Sequence, residues 1–204
     1  MNLINQLQSS SPIIYEEDFV KKIAIGVLAL IWISCFALFA GSNEMGLWNA
    51  VKNENLEQVI YYLKQGAECD ALDKLGATPL HWAAMVGNHK IVLELLQKGA
   101  NPQASGERLS KPLILAAISG SCKCVKNLLE YDNDVSGPNQ KGDTALHAAI
   151  KSKHIHIVRI LLKAGADPKY ANLDGVTPLQ RAQATRNEEL IALVTAYVQK
   201  SDCS

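Results

Sequence analysis

The fold turns on one stretch, GATPLHWAAMVG at residues 76–87, because variants of it return as GDTALHAAI at 142–150 and GVTPLQRAQ at 175–183. Within it Thr78 can accept a hydrogen bond from the first free amides of a helix, and Pro79 suits the next position, where no amide donor is needed. Leu80, Ala83 and Ala84 then fall on one helical face, and Gly87 stops the helix. The following NHKIVLELLQK, residues 88–98, restarts a second helix with apolar residues at 91, 92, 95 and 96, a spacing of three and four. Gly99 is placed to end it in the left-handed conformation that a Cβ disfavours. The next ten residues, ANPQASGERL with Asn101, Pro102 and Gly106, read as a turn or finger.

The unit repeats every 33 residues without insertion. One leucine column holds Leu47, Leu80, Leu113, Leu146 and Leu179, and three residues on an alanine column holds Ala50, Ala83, Ala116, Ala149 and Ala182. In the second half of the unit Tyr62, Leu95, Leu128, Leu161 and Val194 keep the same register. Gly66, Gly99 and Gly165 form a glycine column, interrupted by Asp132. No such unit can bury its apolar face alone, and the small alanines let neighbours approach closely, so the stack itself is the core.

This pattern resembles the ankyrin repeat, whose period and T-P-L-H-x-A signature it matches across residues 43 to 200. The resemblance implies an all-α ankyrin-repeat solenoid of about five helix-turn-helix units, at about 43–75, 76–108, 109–141, 142–174 and 175–200. It also implies that His81 and His147 are struts bonding to the backbone around the turn, a reading that Ile114 and Gln180 at equivalent sites support. The third unit departs most: Lys111 replaces the threonine, Ile114 the histidine and Asp132 the glycine, which predicts a locally weaker unit in an unchanged fold. In the last unit Gln180, Arg181, Gln183, Arg186 and Asn187 give the wet outer face expected of a terminal cap.

Composition narrows the function. Formal net charge is zero, and the basic residues are scattered without the stripe that phosphate binding needs, so nucleic acid is not an expected partner. The five cysteines contain no C-x-x-C pair, and Cys122 and Cys124 have the wrong spacing for a zinc knuckle. His154 and His156 look like a metal pair, but two residues apart on a helix they point away from each other. Phosphate loops, nucleophile elbows and supported Cys/His dyads are missing from the sequence, so no catalytic, cofactor or metal residue is assigned and a non-enzyme is expected.

Residues 23–40, IAIGVLALIWISCFALFA, carry no charge and no proline. As a helix they span roughly 27 Å, close to the hydrocarbon thickness of a bilayer. A cleaved signal peptide fits less well, because the leader is long, contains Glu16, Glu17 and Asp18, and ends in a poor cleavage pattern. A lipoprotein modification at Cys35 is disfavoured by Trp32 three residues before it. We therefore expect a single N-terminal transmembrane helix over residues 23–41, contacting membrane lipid, behind a disordered segment 1–22. Lys21 and Lys22 weakly favour a cytoplasmic N-terminus. The repeats begin a few residues later, which would hold the stack close to the membrane surface.

Ankyrin-type stacks bind proteins through finger tips and the exposed side of the first helices. There the pattern juxtaposes Trp82, Met85, Leu115 and Ile118, with Leu75 and Leu109 at the adjoining fingers and Lys74 and Arg108 at the rim. Exposed, these make an apolar, Trp-centred candidate patch for a protein partner. Partial burial between units is the competing reading; it would make Trp82→Ala a stability defect rather than a binding defect. The function expected from the whole is a non-catalytic protein–protein interaction scaffold tethered to a membrane. The alternatives are a secreted, periplasmic or host-delivered bacterial ankyrin protein, or a non-catalytic regulatory subunit of an enzyme.

Overall fold

The computed structural model describes residues 43–106, 110–132 and 134–202. The expected membrane span at 23–41, the leader 1–22, and the candidate contacts Arg108 and Leu109 lie outside the described residues. All ten elements described are helices: α1 (43–52), α2 (Leu56–Lys64), α3 (Pro79–Val86), α4 (His89–Gln97), α5 (Pro112–Ser119), α6 (Cys122–Tyr131), α7 (Ala145–Lys151), α8 (Ile155–Lys163), α9 (Pro178–Ala184) and α10 (Glu188–Asp202). Among the described residues no helix is long and apolar enough to cross a membrane.

The helices alternate between two layers. The first helices α3, α5, α7 and α9 pack side by side, and the second helices α4, α6, α8 and α10 form a parallel layer against them. Between the layers runs one hydrophobic seam. Leu47, Leu80, Leu113 and Leu146 are buried in it, with Ala50, Ala83, Ala116, Ala149 and Ala182 fully covered where neighbouring first helices touch. From the second layer come Leu95, Leu128, Leu161 and Val194, all buried, while Tyr62 of the first unit is half-buried against them. Burying one such leucine contributes about 1.5–3 kcal/mol, which isolated helices of this length, marginal in water, cannot supply for themselves.

The local starts and stops follow from side chains on the same period. Second helices begin at Asn55, Asn88, Ser121 and Asn187, each accepting a hydrogen bond from the amide three residues on. His154 stands in this column without such a bond; its ring Nε2 instead meets the Ile118 carbonyl of the preceding unit at 3.2 Å. Gly99 ends α4 at φ +90°, as its place in the sequence predicts. In the third unit Asp132 takes that place with extended backbone (φ −151°), and its carboxylate accepts from the Asp134 amide at 2.9 Å. Lys111 starts α5 without a side-chain cap. The third unit keeps the fold although both termini lack the family devices.

The turn from first to second helix is stricter than its sequence suggests. Its left-handed position is filled by Gly87 (φ +84°) and Gly120 (φ +81°), but also by Glu54 (+55°), Lys153 (+60°) and Arg186 (+56°). A left-handed non-glycine residue costs about 1–2 kcal/mol, so packing of the two layers imposes this geometry whatever residue is present. Lys153→Gly should therefore raise the unfolding free energy by about 0.5–1 kcal/mol in urea titration. Gly120→Ala should lower it, because a Cβ there would lie 2.8 Å from the His154 ring.

Candidate functional site

The inner face of the stack is built on paired struts. The Thr78 amide donates to His81 Nδ1 at 3.1 Å, and the Thr78 hydroxyl lies 2.8 Å from the same nitrogen. Thr144 and His147 repeat the arrangement at 3.3 and 3.0 Å, and His147 Nε2 reaches the Val176 carbonyl of the next unit at 3.0 Å. In the fifth unit Gln180 takes over, its Oε1 accepting from the Thr177 amide at 2.9 Å. In the third unit Ile114 simply fills the buried position. His81 and His147 are therefore structural.

Burial pushes both imidazoles below their ordinary pKa of 6.5. The Val176 carbonyl and Asp143 oppose this only in part at His147. At His81 the Ala104 backbone lies nearby, but Nε2 has no hydrogen-bond partner among the described residues, so burial prevails there too.

The fingers have their own anchor. Asp73 Oδ1 accepts from the amides of Leu75 and Ala77 at 2.8 and 2.9 Å. Asn139 and Asn172, at the same place in later units, each accept from the amides two and four residues on. The shared column, Asp73, Gly106, Asn139, Asn172, was legible in principle, and Gly106 is where the side-chain anchor is lost. Adjacent fingers are also tied together: the Leu173 amide donates to the Lys141 carbonyl at 3.1 Å, and Asn172 Nδ2 to Asp143 Oδ1 at 2.7 Å. Arg181 of α9 donates to the same Asp143 oxygen at 2.9 Å.

The structure divides the predicted patch in two. Leu75 (64% exposed), Met85 (44%) and Ile118 (50%) are open to solvent, and Lys74 is exposed beside Leu75. Trp82 and Leu115 are half-buried and packed against the core. Trp82 is further engaged: its Nε1 donates to Asp73 Oδ2 at 2.8 Å, and the Lys52 ammonium of the preceding unit stands 4.2 Å from its ring centre. Burial would raise the Asp73 pKa, but the Ala77 amide, the Trp82 indole, the Leu75 amide and Lys52 together hold it below the ordinary carboxylate range. Trp82 is thus the floor of the patch, tying the finger before α3 to that helix and to Lys52 of the first unit, while Leu75, Met85 and Ile118 are open to solvent.

Beside Ile118 the face dips into a groove of about 400 Å³ between the third and fourth units. Ile118 and Ala148 lie along it with Asn139, Lys141, Asp143 and Lys151. Elsewhere, His154, His156 and Cys122 border a smaller hollow, where His154 is committed to the Ile118 carbonyl. Among the described residues no three His, Cys, Asp or Glu side chains gather as a metal site would require. Cys69, Cys122 and Cys124 are free thiols. Burial raises the pKa of Cys69 and Cys124, the opposite of what a reactive thiolate needs.

Two measurements check these assignments. With folded-state imidazole pKa values depressed, the unfolded chain takes up protons first as pH falls below about 6.5, so stability present at higher pH is lost there. His147→Gln, which copies the fifth unit, should flatten that loss in urea titrations at about pH 7.5 and about pH 5. Trp82→Ala should cost about 1–3 kcal/mol of stability, because it removes packing, a hydrogen bond and a cation–π contact together.

Comparison with curated proteins finds no match. The family model "Ankyrin repeats (3 copies)" matches residues 47–139 and 113–202, two overlapping segments that cover most of the chain. Ankyrin repeats are in general non-catalytic modules for protein–protein interaction. With the struts at His81 and His147, the left-handed interhelix turns and the two-layer seam in place, the chain belongs to the ankyrin-repeat family.

Proposed function

We propose that this protein is a membrane-tethered scaffold that holds another protein close to a bilayer. The observation that carries the docking part is the exposure of Leu75, Met85 and Ile118 along one face whose half-buried floor, Trp82 and Leu115, is fixed by the fold. Apolar side chains on a rigid platform lose little conformational freedom when a partner covers them, which is the economy of a binding hot spot. The tether is the uncharged stretch 23–41, long enough for one bilayer crossing. Lys21 and Lys22 at its start favour a cytoplasmic N-terminus, with the repeats on the opposite side.

Three experiments test the proposal. Carbonate extraction of membranes from expressing cells should leave the full chain in the pellet; release into the supernatant would remove the tether. Protease protection with a C-terminal tag reports which side the repeats occupy. For docking, Met85→Glu combined with Ile118→Glu should abolish cross-linking to the partner in those membranes. Both side chains are exposed, so the variant should keep its unfolding free energy within about 0.5 kcal/mol per site. Unchanged cross-linking would move the partner to another face.

A further inference from the structure

We propose that the groove between the third and fourth units accepts an acidic, apolar peptide segment of the partner, with an aliphatic side chain on Ile118 and Ala148 and a carboxylate between Lys141 and Lys151. This rests on the inner face being the docking surface and adds the chemistry of what docks.

The groove has one apolar wall and one sign of available charge. Ile118, half exposed, comes from α5, and Ala148 from α7. Two cations border the same space: Lys151 at the end of α7 and Lys141 in the finger between α6 and α7, both exposed. Among the described residues neither ammonium has an ion-pair partner. The one carboxylate lining the groove, Asp143, is already engaged, its Oδ1 taking hydrogen bonds from Arg181 at 2.9 Å and Asn172 at 2.7 Å. Asp143 and Arg181 cover each other, with side chains only 16% and 19% exposed. The charge left to a ligand is therefore positive, although the whole chain is formally neutral. Lys111, the nearby third-unit cation, is by contrast turned to Gln103 and to Asp134 at 3.8 Å.

The lysine positions are also held. Asn139 accepts from the Lys141 amide at 2.9 Å, and the Lys141 carbonyl receives the Leu173 amide of the next finger. Lys151 is the last residue of α7, whose terminal carbonyls carry negative partial charge and favour an ammonium beside them. A basic partner would meet two like charges with no free carboxylate to answer them. A wholly apolar partner would cover both ammonium groups without compensation. An acidic and aliphatic segment satisfies both halves of the groove.

The test uses the full chain in neutral detergent micelles and two fluorescein-labelled peptides, one alternating leucine with glutamate and one alternating leucine with glutamine. The expected result is binding of the glutamate peptide about tenfold tighter at low salt, a preference that vanishes in concentrated salt. Lys141→Glu with Lys151→Glu should erase the preference without altering thermal unfolding, while Lys163→Glu on the outer layer leaves it intact. Ile118→Ser should weaken both peptides. Equal binding of the two peptides, unaffected by the lysine changes but lost in Ile118→Ser, overturns the charge assignment and leaves the docking face standing. Binding of neither peptide overturns both. Displacement of the peptide by soluble short-chain phosphatidylserine but not by phosphatidylcholine would make this a lipid-headgroup site and overturn the proposal. So would peptide-independent pairing of two copies that the lysine variants abolish.

Discussion

Everything in this structure depends on burial shared between units. No helix pair here closes over its own apolar residues; Leu80 is covered because α3 lies between its neighbours, and so are Leu113 and Leu146 in turn. Helices this short would be marginal in water, so the backbone is held by its neighbours rather than by its own propensity. The left-handed residues at 54, 153 and 186 make this visible, since a glutamate, a lysine and an arginine are all forced into a conformation they disfavour by the requirement that the two layers meet. The seam supplies the energy, and the interhelix turn absorbs the strain.

The same sharing explains why the third unit survives its departures. Ile114 abandons the threonine–histidine strut but adds a fully covered aliphatic side chain. Asp132 lacks the glycine's freedom and bonds its own downstream amide instead. Links between units also compensate: Ser121 Oγ donates to the Gly87 carbonyl at 3.0 Å, Asn127 Nδ2 to the His89 carbonyl at 3.0 Å, and His154 meets the Ile118 carbonyl. Each ties a second-layer helix to the unit before. A one-dimensional stack needs each interface to be adequate rather than each unit to be ideal.

This architecture leaves Leu75, Met85 and Ile118 exposed over a half-buried floor. The finger anchors at Asp73, Asn139 and Asn172 spend their polar groups on their own backbone, so the residues between them project outward with little freedom to collapse. At Trp82, the indole that looks most like a binding anchor is already bonded to Asp73 and overlain by Lys52.

Much of this was legible in the residues themselves. Period 33 places the leucine and alanine columns, the helix starts at Thr78 and Thr177, and the stop at Gly99, because local capping and periodicity depend only on spacing along the chain. The strut role of His81 and His147 was implied by the resemblance to the ankyrin repeat, and the departures at Lys111, Ile114 and Asp132 were visible as breaks in columns. Which side chains stay exposed was not legible, since exposure is set by what lies across the next unit. Trp82 and Leu115 sink into the floor while Met85 and Ile118 stand out, although all four share one helical face. The pairing of Asp143 with Arg181, 38 residues away, likewise exists only once the units are stacked, and it leaves Lys141 and Lys151 as the available charge of the groove. Spacing along the chain determined the scaffold; contact between units decided the surface.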